Sequence, residues 1–217
     1  MVEQTRVYDL SQRISSEMPV FPGDEAVSLV PTRWIEKDRY SNHRIRMSVH
    51  TGTHLDTPRH FFHRPGTVGD DPLDRFCGPT RVFDCSGEST IDLTSEDKSR
   101  IQAGDIVLVR TGMDEKWGTD AYFEDYPVIS ESLTDFLVQR QISIFGVDSP
   151  GPDKYPYPTH VKFFEANICI LENLCGLEPL VGEDNVEVFA FPLKLEADSS
   201  PVRAVARVTT RDNIADN

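Results

Sequence analysis

The stretch His50-Thr51-Gly52-Thr53-His54-Leu55-Asp56-Thr57-Pro58-Arg59-His60 holds three of the chain's six histidines, with an aspartate among them. Imidazole nitrogens and a carboxylate oxygen are the usual ligands of a catalytic divalent metal, at about 2.0–2.2 Å when the ion is zinc. Two His and one carboxylate leave coordination positions open to water and substrate, which separates a catalytic site from a closed structural one. In an extended backbone the even-numbered His50, His54, Asp56 and His60 share one face. At a rise of about 3.3 Å per residue, His54 and Asp56 stand about 7 Å apart and can grip one ion. His50 is twice as far from His54, so a bend is expected at Thr51-Gly52, where glycine tolerates unusual dihedrals. Pro58 cannot donate to a strand ladder and predicts a turn before His60. The stretch thus reads as a strand end running into a metal-binding loop. A helix would also align His50 and His54 at i,i+4, but Gly52, two threonines and Pro58 disfavour it.

Working outward, residues 27–35 and 44–49 read as strands. In the second, Ile45, Met47 and Val49 alternate with Arg44, Arg46 and Ser48, so His50 is expected where a half-buried strand ends. Upstream, residues 7–10 start a short strand, and the Pro/Gly-punctuated segment 16–24 reads as a turn whose Phe21 is a candidate pocket residue. Downstream, Phe61 and Phe62 supply apolar surface next to the motif. His43 and His63 read as solvated. Residues 80–84 and 106–109 are predicted strands. Between them Thr94, with Asp97 three residues on, caps a helix that Gly104 closes.

Residues 112–128 show no period and are expected to form a surface loop. Ser130 predicts an N-cap for a helix to about Arg140, with Leu133, Phe136 and Leu137 inward. Residues 142–147 form a nearly continuous apolar run, the pattern of a strand buried on both faces, so a βαβ unit is expected. After a proline-rich loop at 148–158, a helix should begin near His160. A His in that first turn tends to stay neutral and free to bind a metal. Residues 168–172 read as an apolar strand ending in Glu172, which shares a face with Ile168 and Ile170. If buried there, the carboxylate must be paired, protonated or metal-bound; an exposed strand end is the alternative. Residues 186–195 and 202–208 read as closing strands, and the tail from Arg211 as disordered.

The 217 residues, 38% hydrophobic and 27% charged, suit one globular domain (residues 1–217) without repeats or linkers. A net charge of −14 disfavours nucleic acid or an anionic membrane as partner. Neither a signal peptide nor an 18-residue apolar run is evident. Cys77, Cys85, Cys169 and Cys175 lack close C-x2-C pairing, so reduced thiols in a cytoplasmic protein are expected, with a catalytic cysteine left open. Two His and one carboxylate also make the facial triad of non-haem Fe(II) oxygenases, and a metal-binding protein without turnover would use the same donors.

The motif resembles the H-x-G-T-H-x-D-x-P-x-H signature of the cyclase family, metal-dependent hydrolases that include kynurenine formamidases and isatin hydrolases. Tyr8-Asp9-Leu10-Ser11, Met18-Pro19-Val20-Phe21-Pro22-Gly23-Asp24, Gly104-Asp105-Ile106-Val107-Leu108, Gly146-Val147-Asp148-Ser149-Pro150, Leu171-Glu172-Asn173-Leu174 and Ser200-Pro201-Val202-Arg203-Ala204 extend the resemblance from about residue 7 to 208. It implies an α/β fold, a single compact domain of β-barrel-like mixed sheets with helices packed outside (the swivelling β/β/α type), assembled as a homodimer or homotetramer.

By the same resemblance His50, His54 and Asp56 hold one divalent ion, zinc or manganese. His160 and Glu172 complete a second site, and His60 is the acid/base group. The implied reaction is hydrolysis of a C–N bond of a small formamide or cyclic amide, with lactone hydrolysis or a cyclase/dehydratase reaction as family alternatives. Thr53, Leu55 and Thr57 stand where kynurenine formamidases more often carry alanines, a departure that touches substrate choice and no ligand.

Overall fold

The apolar runs at residues 106–109 and 144–147 become the centre of a nine-stranded mixed sheet because each side of every such strand is covered. The computed structural model describes residues 2–212. Its strands, in chain order, are β1 (Val2–Asp9), β2 (Ser28–Arg33), β3 (Asn42–Arg46), β4 (His54–Asp56), β5 (Cys77–Asp84), β6 (Thr90–Ile91) and β7 (Ile106–Arg110). They continue with β8 (Val128–Ile129), β9 (Ile144–Val147), β10 (Cys169–Glu172), β11 (Val186–Phe189), β12 (Ser199–Pro201) and β13 (Val205–Asp212). The helices are α1 (Ile35–Asp38), α2 (Ser95–Ser99), α3 (Ala121–Glu124), α4 (Glu131–Arg140) and α5 (Pro158–Glu165).

The main sheet runs β1-β13-β11-β5-β7-β9-β10-β4-β12. Strands β5, β7, β9 and β10 are parallel to their neighbours in that group, and both flanks are antiparallel. This is the expected compact α/β domain, a strongly curled half-barrel sheet with few helices. The pleat sends Val82, Ile106, Leu108, Ile144 and Leu171 into one core. It sends Phe83, Val107, Val109, Phe145, Val147 and Ile170 into a second core, under Leu133 and Leu137 of α4 and Phe163 and Phe164 of α5. Each such side chain removed from water contributes about 1.5–3 kcal/mol. Gly146 is required in β9 because a Cβ there would overlap the side chain of Leu108.

The βαβ unit β7-α4-β9 forms as expected, with parallel pairing from Ile106↔Ile144 to Val109↔Val147. Ser130 caps α4 by accepting from the Leu133 N–H at 3.1 Å, worth about 1 kcal/mol. Thr94 and Asp97 form the expected capping box of α2.

Four expectations are corrected. The strand predicted at 44–49 ends at Arg46, with every residue of β3 exposed: among the described residues β3 pairs with β2 alone, in a two-stranded hairpin outside the main sheet. Residues 112–128 are not merely a surface loop: Met113, Tyr122 and Tyr126 are buried as a small aromatic core, packing that needs no sequence period. The run 186–195 breaks after Phe189, and the closing strands are β12 and β13 instead of 202–208. Arg211 and Asp212, expected in a disordered tail, pair with Glu3 and Val2; the rest of that tail lies outside the described residues.

Candidate metal centre

Strand β4 is the floor of the site, and register decides what stands beside it. Glu172 of β10 pairs with His54, and Ser199 of β12 pairs with Asp56. His50 sits in the turn before β4. Gly52 there has φ +64°, and its carbonyl accepts from His54 Nδ1 (2.8 Å) and Asn173 Nδ2 (3.0 Å). The bend expected at Gly52 is therefore present, and it turns His54 Nε2 inward. Asn173 is held by the Tyr122 hydroxyl, which donates to Asn173 Oδ1 at 2.7 Å, so the 112–128 segment supports the site from behind. Pro58–His60 is a 3-10 turn that brings His60 back to the cleft.

The structure brings all six sequence-predicted ligand and acid/base candidates together. His50 Nδ1 lies 2.8 Å from Asp56 Oδ1, and His54 Nε2 lies 3.5 Å from that same oxygen. Glu172 reaches His54 Nε2 with Oε2 (3.4 Å) and His160 Nε2 with Oε1 (3.3 Å). His54, Asp56, His160 and Glu172 are buried, so the exposed alternative for Glu172 falls. Among the described residues, Asp56 Oδ1 and Glu172 Oε1 are buried against these imidazole nitrogens and accept no hydrogen bond in good geometry, a costly state for carboxylate oxygens unless a cation fills the space between them. His50/His54/Asp56 and Asp56/His160/Glu172 each present ligand atoms within 4.8 Å of one another. The donor set fits divalent ions, and two sets sharing Asp56 differ from the single triad of an iron oxygenase.

Each of these three histidines has its outer ring nitrogen against an oxygen acceptor, the arrangement that leaves the inner nitrogen free to bind an ion. For His54 the partner is the Gly52 carbonyl. For His160 it is Asp153, whose Oδ1 is 2.5 Å from Nδ1 and whose Oδ2 accepts from the backbone N–H groups of Thr159 and His160. For His50 it is Asp198, 3.0 Å from Nε2. Asp153 and Asp198 were not candidates in the sequence reading: the first lies in a proline-rich loop, and the second is 148 residues from the histidine it contacts. Only its place just before Ser200-Pro201-Val202-Arg203-Ala204 pointed towards it. His60 Nδ1 lies 3.1 Å from Asp198 Oδ2.

Charge follows this wiring. Burial by itself lowers the His50 pKa, but the nearby carboxylates of Asp56 and Asp198 raise it to about 9. Burial likewise opposes protonation of His160, but Asp153 and Glu172 override it and raise the pKa to about 10, so the neutral imidazole expected in the first turn of α5 is not what these partners favour. For His60 burial dominates and holds the pKa below its ordinary value, despite the pull of Asp56. Desolvation works against the Asp56 carboxylate, yet His54, His50 and His60 drive its pKa well down.

Above the donors is a cleft of about 300 Å³ walled by aromatics. Phe61 stacks on His160 (5.3 Å between centroids, 14°), and Phe21 meets Phe123 edge-on at 6.0 Å. Trp117, Tyr126 and Tyr157, absent from the sequence candidates, complete the wall. Among the described residues no Lys or Arg lines it, and Asp24 stands in its lining. None of the four cysteines lines the cleft, and burial pushes Cys85 to about 11 and Cys169 to about 12, which disposes of a catalytic thiolate there. His43 and His63 are exposed, as expected.

The Cyclase family model matches residues 8–154, more than half of the chain. The chain belongs to the cyclase family. It is 32% identical over 205 residues to the kynurenine formamidase of Bacillus anthracis, covering 92% of this chain and 96% of that protein. It is 34% identical over 206 residues to the kynurenine formamidase of Geobacillus thermodenitrificans, with the same coverage. Isatin hydrolase A from Labrenzia aggregata superposes with a TM-score of 0.84 at 28% identity, over 94% of each chain. A structure described as a "potential metal-dependent hydrolase with cyclase activity" covers 97% of this chain and 100% of its own, with a TM-score of 0.75 at 30% identity.

Proposed function

We propose that this cyclase-family chain is a metal-dependent hydrolase of the C–N bond in a small, uncharged aromatic amide, either an aryl formamide or a cyclic amide. The observation that carries this is one cleft in which paired His/carboxylate donor sets, with two unpartnered buried oxygens, underlie aromatic walls. The kinship with kynurenine formamidases and isatin hydrolase supports the bond type.

His50, His54 and Asp56 would hold one ion, zinc or manganese, and Asp56, His160 and Glu172 a second. Such an ion supplies Lewis acidity to a carbonyl and lowers the pKa of water. His60, with Nδ1 engaged by Asp198, has Nε2 without a protein partner among the described residues. It would take the proton from water and return it to the leaving nitrogen, which departs poorly unless protonated. Phe21 and Phe61 would face the aromatic part of the substrate. With no Lys or Arg among the described residues of the lining and Asp24 in it, a substrate carboxylate would meet no permanently charged cation of the protein, so an uncharged amide is favoured.

The proposal extends to a homodimer or homotetramer, supported by the exposed Trp34, Ile35, Tyr40 and Ile45 around the β2–β3 hairpin. It places the protein in the cytoplasm, supported by four free cysteines. Among the described residues no helix is long and apolar enough to cross a membrane. The charge of −14 supports small molecules over nucleic acid as partners.

The test is metal analysis of protein purified without chelator, then turnover of a neutral aryl formamide, a carboxylate-bearing aryl formamide, an aromatic lactam and a lactone. Metal-dependent cleavage of the neutral amides ahead of the others is expected. No metal uptake, or no amide cleaved, overturns the reading.

A further inference from the structure

We infer that Asp198 is the positioning residue of the reaction, one carboxylate oxygen that orients a metal ligand and the proton carrier together. Its Oδ2 accepts from His50 Nε2 at 3.0 Å and from His60 Nδ1 at 3.1 Å. The two rings lie face to face at a tilt, 4.1 Å between centroids and 39° apart, so the oxygen sits at their common edge.

The consequences follow from one proton per nitrogen. His50 has Nδ1 against Asp56 Oδ1 at 2.8 Å, in the donor set shared with His54. If Nδ1 serves the ion, Nε2 must carry the hydrogen, and Asp198 is what accepts it. For His60 the same oxygen selects the Nδ1–H form, the one that leaves the Nε2 lone pair unused. Without that acceptor His60 would be free to place its hydrogen on Nε2, where it blocks the base.

The carboxylate itself is fixed by the chain. Strand β12 pairs Ser199 with Asp56, the Thr57 hydroxyl donates to the Asp198 carbonyl at 2.7 Å, and Ser199 Oγ contacts Oδ2 at 3.3 Å. Asp198 is thus held in the bend just before β12, the strand that flanks β4 across from the Glu172 side. An alternative role is visible in the same atoms: His50, His60 and Asp198 also lie close enough to act as ligands of an ion. In that case Asp198 and His60 would be ligands, and removing Asp198 would remove an ion.

This inference rests on the hydrolase reading for its kinetic arm and is independent of it in its spectroscopic arm. The variants are Asp198→Asn, which keeps the volume but offers one acceptor oxygen and a donor in place of a shared carboxylate, and Asp198→Ala. Long-range ¹H–¹⁵N correlation spectra of zinc-loaded protein at pH 8 report which nitrogen of His60 bears hydrogen. The parent is expected in the Nδ1–H form and Asp198→Ala shifted towards Nε2–H.

At saturating zinc both variants should keep the parent's metal stoichiometry, with binding about 10–100-fold weaker. Their kcat on the best neutral amide should fall about 10–100-fold with KM little changed. An unchanged His60 tautomer, a kcat within about twofold of the parent when fully loaded, or the loss of one ion per chain at saturation would overturn it. Should the parent cleave no amide, the hydrolase reading fails while the tautomer spectrum still decides the role of Asp198. Asp198→Asn guards against misfolding, and matching circular dichroism in the two variants confirms that the comparison is between folded proteins.

Discussion

Loading the metal-free protein with zinc at pH 7 should expel about two protons per chain when both sites fill, one from His50 and one from His160. Despite burial, Asp56 and Asp198 hold the His50 pKa at about 9, and Asp153 and Glu172 hold that of His160 at about 10. At pH 7 such groups are about 99% and about 99.9% protonated, and a protonated imidazole has no lone pair for a ligand bond. Proton competition then weakens the apparent affinity about 100-fold at the His50 set and about 1000-fold at the His160 set, easing about tenfold per pH unit.

The sign for the metal-free fold is opposite. Both pKa values are raised above the ordinary 6.5. The stabilisation from these ion pairs is therefore full below about pH 6.5 and disappears as pH climbs through about 9 to 10. The assay is isothermal titration calorimetry with zinc in two buffers of different ionisation enthalpy, repeated at pH 6, 7 and 8. A proton count near zero, or an affinity flat across those pH values, would refute the reasoning.

Three further outcomes are expected. His60→Ala should keep its ions by metal analysis and lose about 10²–10⁴ in kcat, because the role proposed for His60 is proton transfer and the inner donor sets do not include it. Gly52→Ala should lower stability in urea unfolding by about 1–2 kcal/mol, since Gly52 has φ +64° and a Cβ would lie 3.1 Å from Met18 Cε. Asp153→Asn should weaken the proposed second site about 10–100-fold in a zinc titration while the His50 set keeps its affinity, because His160 is the one proposed ligand whose side chain Asp153 contacts among the described residues.

The residues between His50 and His60 were legible because ligand chemistry and strand alternation act over a few positions. Imidazole spacing, the bend required at Gly52 and the turn forced by Pro58 are local properties, and each is present in the fold. The β7-α4-β9 unit was legible for a similar reason: an uninterrupted apolar run and a serine cap act within one element. Failures fell where local pattern is silent. Alternation at 44–49 suggested a buried face, yet a face is buried only if another layer covers it, and among the described residues β3 pairs with β2 alone. The aperiodic 112–128 segment buries Tyr122 through contacts with Asn173 and the Asp148 carbonyl, far along the chain.

The sequence by itself determined which side chains can hold a divalent ion and that the strands carrying them have apolar neighbours. Only the tertiary structure decided that β10 and β12 flank β4, placing Glu172 against His54 and Asp198 against both His50 and His60. Strand pairing joins residues separated by more than a hundred positions through backbone hydrogen bonds that are the same for every side chain. For that reason no spacing in the sequence encodes the register, and the cooperative packing of the whole sheet selects it.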